Sequence, residues 1–541
     1  MRSPLPVLGL LALLLPIPAT AQVKKSDKDF KTQFRTSDRC VACHNGLKTK
    51  DGQDISIGFE WSASVMANAS RDPYWQGSVR RESIDHPESK ADVENECSTC
   101  HMPLTHFTAA AEGKQAQVFS HLPLSSILSK NGAAADGVSC SVCHQIEPAR
   151  LGTPASFSGN VVFASLNDPH NRPEYGPFDV DRGHQHVMQS STNGMVPTLA
   201  AHIRDAALCG SCHTLYTKAL GPGGKVIGSL PEQMPYLEWL HSDYKDRQTC
   251  QQCHMPVVNE PVAVTAIFGQ PRDGMHRHEF IGGNFLLQQI LNEHRSDLAT
   301  AAQPQQLDAA ILRTREFLQS QSARVSVQDV AGQSGNFSFN VRVQNLTGHK
   351  LPTAYPSRRA WLHVVVEDRD GRTIFESGKL NPDGSIVGNV NDEDPHRYEP
   401  HFSTITNPQQ VEIYESILKD SQGGVTTGLL SAVGYLKDNR VLPTGFDKAT
   451  ASHDIAVTGS ARDDPGFVGG SSTTRYVIDT ASAPGPFRVR AELWYQPVGF
   501  RWAHNLEPYQ ASEPQRFVRY YESDAPRSAI LLASATASNP E

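Results

Sequence analysis

The C-terminal half of the chain alternates apolar and polar residues as a β-strand with one buried face does. Asn336–Asn345 and Phe487–Leu493 alternate over their whole length, and successive side chains of a strand point to opposite faces. Trp361–Glu367 and Ile374–Phe375, joined by an Asp-Gly turn, predict a hairpin. The pattern indicates an antiparallel, Ig-like β-sandwich domain over residues 323–525. Further strands of this domain are predicted at 411–417, 476–478 and 517–521.

A helical pattern precedes the strands. Apolar positions recur at intervals of three and four residues from Leu307 to Leu318, which predicts an amphipathic linker helix over residues 301–322. Residues 22–300 are rich in glycine, proline and serine between their motifs, so short helices and loops are expected there. Residues 526–541 are predicted to be a C-terminal tail. The prediction is therefore a multidomain protein, with a mostly α-helix and loop domain followed by an all-β domain.

The N-terminus has the features of a secretory signal peptide. Met1-Arg2 is followed by an apolar run over residues 5–17 and by Pro18–Ala21, a small-x-small pattern that ends before Gln22. A retained membrane anchor is the alternative, but the run is shorter than the roughly 18 residues that a spanning helix needs. We therefore expect cleavage of residues 1–21, a periplasmic or extracellular location, and membrane association only through a partner.

All ten cysteines of the chain fall in five Cys-x-x-Cys-His motifs. Two thiols three positions apart can form thioethers to the two vinyl groups of one haem, and the adjacent histidine can then ligate the iron. Zinc is the alternative, but zinc sites do not require a histidine after each second cysteine. The predicted cofactors are five covalently bound haem c groups. The thioether residues are Cys40, Cys43, Cys97, Cys100, Cys140, Cys143, Cys209, Cys212, Cys250 and Cys253, and the proximal iron ligands are His44, His101, His144, His213 and His254.

The motifs crowd into residues 40–254, so the haems themselves are expected to form the core of this domain. Each iron also has a sixth position, whose occupant separates a closed electron carrier from an open catalyst. A packing or hydrogen-bonding role is the alternative for each candidate ligand. The distal candidates are Met66, in a helical stretch without histidine; His202, seven residues before Cys209; His186 and His278, each from a His-x-His pair that would share one face of an extended segment; and His349, in a loop between predicted strands.

The charge of the chain argues against one class of partner. The formal net charge is -8 at pH 7 and no basic stripe is present, so a nucleic-acid partner is not expected.

Arg358 and Arg359 could pair with haem propionates, since a guanidinium matches a carboxylate fork; exposure to solvent is the alternative. The acidic stretch Asn389–Asp394 could bind calcium through its oxygens, but it lacks EF-hand spacing, and a solvated loop is favoured.

Several short segments carry a resemblance to known proteins. They are Trp61–Asn68 with Arg71–Pro73, the Cys-His-Met-Pro sequences at Cys100 and Cys253, Gly348–Thr353, Tyr355–Leu362 and Tyr435–Arg440. With them the chain resembles multihaem c-type cytochromes related to the tetrahaem electron-transfer partner of hydroxylamine oxidoreductase. The resemblance implies a C-terminal β-domain whose Gly-His-x-x-Pro-Thr loop is associated with haem ligation, and so implies His349 as a ligand. Members of that family are mostly described as electron carriers.

Three functions follow from these observations. The first is electron transfer through neighbouring haems, between redox proteins or from a quinol-linked donor to an acceptor. The second is a nitrite- or hydroxylamine-type reductase with one open haem iron, although no motif has a lysine in place of its histidine. The third is a β-domain that docks the protein to a partner, which fold alone does not decide. Electron transfer is favoured, because the motifs supply redox centres and no acid-base constellation is recognisable.

Overall fold

Helices and loops dominate the structure up to residue 321, and strands dominate after it. The computed structural model describes residues 33–125, 132–164, 170–333 and 335–539. The predicted signal peptide, residues 1–21, lies outside the described residues. Within the described ranges, no helix is both long and apolar enough to cross a membrane.

Short helices joined by loops carry the five motifs, as the sequence predicts. The helices are α1 (Asp38–Val41), α2 (Ile57–Ser62), α3 (Pro73–Asp85), α4 (Lys90–His101), α5 (Pro103–Ala111), α6 (Gly132–Ala135), α7 (Cys140–Cys143), α8 (Arg182–Thr192), α9 (Ala206–Gly210), α10 (Pro235–Leu240), α11 (Cys250–His254) and α12 (Phe285–Glu293). Two small sheets accompany them. Strand β1 (Arg172–Gly176) pairs in parallel with β2 (Met195–Leu199), and β3 (Leu215–Leu220) pairs antiparallel with β4 (Val226–Gln233).

The helix predicted over residues 301–322 is present as α13 (Pro304–Gln321). The helix begins with a proline, which has no N–H to satisfy, and with a capping box between Gln303 and Gln306. Both features suit the first turn, whose backbone N–H groups have no partner within the helix. Leu307, Ala310, Thr314 and Leu318 are buried, which is the face that the three- and four-residue spacing predicts. This face joins the same apolar cluster as α12 and the strands that follow, so the helix packs between the two parts of the chain.

The strands of the second half belong to three sheets. They are β5 (Ala323–Gln333), β6 (Asn336–Asn345), β7 (Arg359–Glu367), β8 (Thr373–Ser377), β9 (Thr404–Ile405), β10 (Ile413–Tyr414), β11 (Ser416–Asp420), β12 (Val425–Thr426), β13 (Ala432–Asp438), β14 (Phe467–Val468), β15 (Ser471–Ile478), β16 (Arg488–Gln496) and β17 (Ile530–Ser538). The same region contains α14 (Val390–Glu393), α15 (Phe500–His504) and α16 (Ser512–Asp524).

Two five-stranded sheets share one apolar core. One has the order β14-β15-β6-β5 with β9 on β15, and the other has the order β10-β7-β16-β17 with β8 on β7. Phe339 and Tyr476 of the first sheet and Leu362 and Leu493 of the second are buried in the same cluster. The predicted hairpin is present as β7 and β8. All pairings in these two sheets are antiparallel except β9 with β15. The Ig-like topology stays a prediction.

Two sequence assignments in the second half differ from the structure. Residues 517–521, predicted as a strand, lie in α16, where Phe517, Val518, Tyr520 and Tyr521 are buried. Apolar positions at i, i+1, i+3 and i+4 match a helical face, and this face packs against α3. Residues 526–541, predicted as a tail, contain β17, which pairs with β16. Its alanine and serine positions gave too weak an apolar alternation to reveal a strand.

A buried histidine lies between two carboxylates in the second half of the chain. His401 Nδ1 lies 2.6 Å from Glu412 Oε1, and its Nε2 lies 2.8 Å from Asp464 Oδ2. Burial alone would lower the pKa of His401, but the two carboxylates outweigh burial and raise it above the usual value. His401 is therefore held as a cation that pairs both acids.

We expect the free energy of unfolding to fall as the pH rises through the folded-state pKa of His401. The folded protein holds this proton more tightly than the unfolded chain, whose histidine pKa is about 6.5, so the stabilisation is complete below about pH 6.5 and is lost above it. Urea titrations followed by circular dichroism between about pH 6 and 9 would measure this. His401→Gln should remove the dependence and cost about 3–5 kcal/mol; an unchanged pH dependence would contradict the assignment.

Candidate multihaem site

The five motifs line one continuous cavity. All ten cysteines and the five motif histidines are among its lining residues, and its volume is about 1940 Å³. This is about twice the volume of the largest pockets that hold a single small ligand, which reach roughly 1,000 Å³. Apolar side chains from both parts of the chain also contribute to the wall, including Trp61 and Trp75 from the helices and Leu430 and Val498 from the β-rich part. The cavity is large and apolar enough to fit several porphyrins.

Local helical structure aims each motif at this cavity. Helix α7 covers both cysteines of the third motif and α11 covers the whole fifth motif, while α4 ends with the second. Residues three and four positions apart lie on one face of a helix. The two thiols and the histidine of a motif therefore project to the same side, which is the arrangement that attachment to one haem requires.

The motif histidines are oriented by their backbone contacts. Four of them donate from Nδ1 to a carbonyl oxygen, which leaves Nε2 free to bind a metal. Burial also lowers the pKa of all five, to about 4 for His101 and His213, and so keeps the neutral form that binds metals. The four contacts are His44 to Val264 at 2.6 Å, His101 to Ala69 at 3.0 Å, His144 to Tyr175 at 2.6 Å and His254 to Ile281 at 2.5 Å.

Two of the motif histidines face a second histidine across a gap. The rings of His144 and His278 are 6.4 Å apart and 15° from parallel, and those of His254 and His349 are 6.3 Å apart and 11° from parallel. With metal–nitrogen bonds of about 2 Å, two imidazoles on opposite sides of one metal have ring centres about 6.3 Å apart. The separation within each pair is therefore the one expected for two histidines that bind the same iron from opposite sides.

The two facing histidines are themselves held by the backbone. His278 Nδ1 lies 3.0 Å from the His276 carbonyl, and His349 Nδ1 lies 3.0 Å from the Lys350 carbonyl. Burial lowers the pKa of His278 to about 3 and that of His349 to about 4. Each therefore presents a neutral ring whose Nε2 is free for a ligand bond.

A buried glutamate from a helix fixes the segment that carries each facing histidine. Glu60 of α2 accepts from the backbone N–H of His278 at 2.8 Å and from Arg277 at 2.6 Å. Glu238 of α10 accepts from the backbone N–H of Lys350 at 3.1 Å. It also pairs with Arg440 at 3.0 Å. The loop that carries His349 is thus tied to the motif region by a charge network inside the protein.

Replacing these glutamates with glutamine is expected to affect one histidine pair each. Glu60→Gln should shift only the spectroscopic signal of the His144–His278 centre, and Glu238→Gln only that of the His254–His349 centre. Loss of one buried charge partner should also cost about 3–5 kcal/mol of stability. Electron paramagnetic resonance of the oxidised protein measures the signals, with exposed Glu112→Gln as the control. A shift of the same signal in both variants would contradict the assignment.

Contacts between thiols reveal how the motifs are arranged in space. Thiols of the first and third motifs, of the second and fourth, and of the fourth and fifth lie close enough for one member of each pair to raise the pKa of the other. The loop after the third motif also reaches the fourth, because Gly159 N donates to Ser211 O at 2.8 Å. Gly159 has a φ of +75°, and a Cβ there would lie 2.5 Å from Thr99 of the second motif, so only glycine fits. The fourth motif is the junction of the array. The three thiol pairs are Cys40–Cys140, Cys100–Cys212 and Cys209–Cys250.

The structure does not bring two of the predicted distal ligands to the cavity. His186 lies on α8 and is exposed; residues two apart on a helix do not share a face, so its neighbour His184 lines the cavity instead. His202 Nε2 donates to the Ile146 carbonyl at 2.8 Å, and its ring packs against Tyr175. Met66, in the turn after α2, does line the cavity.

The second histidine of one predicted His-x-His pair also lines the cavity. His276, the other member of the His276–His278 pair, lines the wall with Nδ1 held 2.6 Å from the Met255 carbonyl. The backbone of this segment is extended, and Val257 bridges to His276. Residues two apart in an extended segment share one face, so His276 and His278 both reach the cavity wall. The His-x-His spacing was the one signal that the sequence offered.

The two arginines considered as propionate partners have different surroundings. Arg358 lines the cavity and donates to the Thr353 carbonyl at 3.1 Å. Arg359 is buried outside the cavity wall and pairs with Asp392 at 2.7 Å. The acidic stretch that was considered for calcium thus supplies the partner of Arg359, and only Arg358 remains placed for a propionate.

Comparison with known proteins shows the fold. No family model and no curated protein matches the chain. The chain is similar to the crystal structure of a penta-heme cytochrome c552 from Thermochromatium tepidum, with a TM-score of 0.52 and 14% sequence identity, over 94% of this chain and 99% of that chain. The two proteins therefore share a fold that combines a helical region with a β-rich region along nearly their full lengths.

Proposed function

We propose that this chain is a multihaem c-type cytochrome that holds five haem c groups and transfers electrons between redox partners. The observation that carries the proposal is the shared cavity. Five separate Cys-x-x-Cys-His motifs converge on it, and thiols of different motifs lie close to one another. Haem groups attached there would lie close to one another, and a bound haem supplies one-electron chemistry at its iron.

The chain's own residues favour closed iron centres for two of the sites. His278 opposes His144 and His349 opposes His254 at the separations that a shared iron needs. A centre with two protein ligands has no open position for a substrate and suits electron transfer. The carbonyl contacts at Nδ1 strengthen each imidazole as a ligand. Likeness in fold to a penta-heme cytochrome agrees with this proposal.

The place of action and the partners belong to the same proposal. The signal-peptide features of residues 1–21 favour export, and periplasmic or extracellular redox proteins or a quinol-linked enzyme would then supply or accept electrons. The net charge of -8 favours partners with a positive docking face. Membrane association would then occur only through such a partner.

One group of side chains favours a second function, reduction of a small substrate such as nitrite or hydroxylamine. Tyr74, Tyr355, Glu82 and Glu232 line the cavity, and both glutamates lie close to Cys97 of the second motif. The Tyr74 and Tyr355 rings meet edge to face, with their centres 5.8 Å apart. Burial raises the pKa of Glu232 to about 6. An acid that titrates near neutral pH can deliver protons to a substrate at an open iron.

Counting spin states in the oxidised holoprotein tests both functions. Low-temperature electron paramagnetic resonance and near-infrared magnetic circular dichroism distinguish high-spin, bis-histidine and histidine–methionine centres. Five low-spin centres, at least two of them bis-histidine, are expected of an electron carrier. A high-spin centre whose signal shifts with nitrite or hydroxylamine would favour the reductase. Fewer than five haems per chain by pyridine haemochrome assay would overturn the cofactor assignment.

A further inference from the structure

Three side chains that can bind a metal converge where α12 meets α16. Glu293 is the last residue of α12, His294 follows it as the C-cap, and Asp524 is the last residue of α16. One potential ligand atom from each lies within 4.8 Å of the other two. None of the three lines the cavity that the five motifs share, so this cluster is separate from the candidate haem sites.

Two polar atoms of this cluster are buried without a hydrogen-bond partner. The Asp524 side chain has no exposed surface. Among the residues that the structure describes, none donates to Asp524 Oδ2 and none pairs with His294 Nε2. Leaving such atoms unpaired costs roughly 1–3 kcal/mol each, and more for a charged group. Buried polar groups are nearly always satisfied in folded proteins. Two such atoms in one small cluster, one of them on a fully buried carboxylate, point to a cation as their common partner.

Neighbouring residues hold the cluster in a geometry that suits a cation. Arg527 donates to one oxygen of Glu293, at 2.8 Å, and to Oδ1 of Asp524. The second oxygen of each carboxylate therefore remains available to bind a metal ion. The His294 ring stacks on Tyr520, with ring centres 3.6 Å apart and planes within 10°, which fixes its direction. In metal sites, partners of this kind orient the residues that bind the metal.

We propose that Glu293, His294 and Asp524 bind one zinc ion. One imidazole nitrogen and two carboxylate oxygens form a ligand set that Zn²⁺ accepts at bond lengths of about 2.0–2.2 Å, with water in a fourth position. The ion satisfies both buried orphan atoms. It also ties the end of α12 to the end of α16, the helix that packs against α3 beside the second motif. The site is thus a structural clasp between the helical part and the β-rich part of the chain.

Zinc uptake by the holoprotein tests this site. The protein with all its haems is stripped with a chelator, dialysed, and titrated with Zn²⁺ by calorimetry, and bound zinc is counted by mass spectrometry. We expect one zinc per chain. His294→Phe keeps the stack on Tyr520 but removes the ligand. It should weaken zinc binding by at least about 100-fold, since changing even a residue that only orients a metal ligand costs about 10–100-fold.

Two further variants keep the test decisive. Glu293→Gln removes a ligand from an exposed position, so it should weaken zinc binding without loss of folding, as judged by circular dichroism and haem absorbance. His453→Phe alters an exposed histidine that lies 3.5 Å from Asp454, and should leave zinc binding unchanged. The site would be overturned if the unaltered protein took up no zinc saturably, or if His294→Phe and Glu293→Gln both bound zinc as tightly as the unaltered protein. Either result would mean that the cluster is only a set of ion pairs around Arg527.

Discussion

Replacing His349 with alanine is expected to convert one low-spin haem centre to a high-spin centre while all five haems stay attached. The covalent link depends on Cys250 and Cys253, which the substitution does not touch. The iron would keep His254 on one side and lose the ligand that faces it at 6.3 Å between ring centres. Electron paramagnetic resonance should show one new high-spin signal, and added imidazole should restore the low-spin spectrum because it supplies the missing ligand.

His202→Ala is the matched control for this experiment. Both histidines lie outside the motifs, are partly buried, and donate a ring N–H to a backbone carbonyl. His349 lines the cavity, whereas His202 does not. Its loss should leave every spin state unchanged. Rescue by imidazole separates ligand loss from misfolding, since a misfolded protein would not recover. A His349→Ala protein with only low-spin centres would show that His349 is not an iron ligand.

Loss of the fourth motif is expected to interrupt electron exchange more than loss of any other motif. The double variant Cys209→Ser, Cys212→Ser would lack the haem of the fourth motif, whose thiols lie close to those of both the second and the fifth motif. The loop after the third motif also bonds to the fourth. The remaining four haems should therefore fall into groups that no longer share electrons rapidly.

The double variant Cys97→Ser, Cys100→Ser provides the comparison. It also removes one haem, so any general cost of losing haem from the core is common to both proteins. Among the described residues, the thiols of the second motif lie close to those of one other motif, the fourth, so the remaining sites should stay connected. After sub-stoichiometric photoreduction, absorbance relaxation should stay fast in this variant and become slow in the fourth-motif variant. Equal relaxation in both proteins would argue against the fourth motif as the junction.

Strand and helix prediction succeeded where the apolar pattern was strong. Asn336–Asn345 and Arg488–Gln496 are strands in which most alternate residues are buried, because the core side of a sheet selects apolar residues at every second position. The pattern misled at residues 517–521, where only packing against α3 shows that the apolar residues form a helical face. It was silent at Ile530–Ser538, whose small residues complete the sheet edge beside β16.

The distal positions show the limit of local spacing. His186 and His278 had equal standing in the sequence, since each belongs to a His-x-His pair. The segment with His278 is extended and pinned by Glu60, whereas the segment with His186 is helical and turns that side chain to solvent. The backbone conformation, which tertiary contacts decide, therefore determines which histidine reaches the cavity.

The sequence by itself determined the spacing on which the proposed haem attachment depends: five pairs of thiols, each with an adjacent histidine, within a single helical turn. It also determined the division into a helical part and a strand-rich part. Only the tertiary structure decided which histidine faces which motif, which motifs touch, and where Glu293, His294 and Asp524 meet. Those contacts join residues far apart in the chain, and packing of whole helices and loops, rather than local spacing, sets their distances.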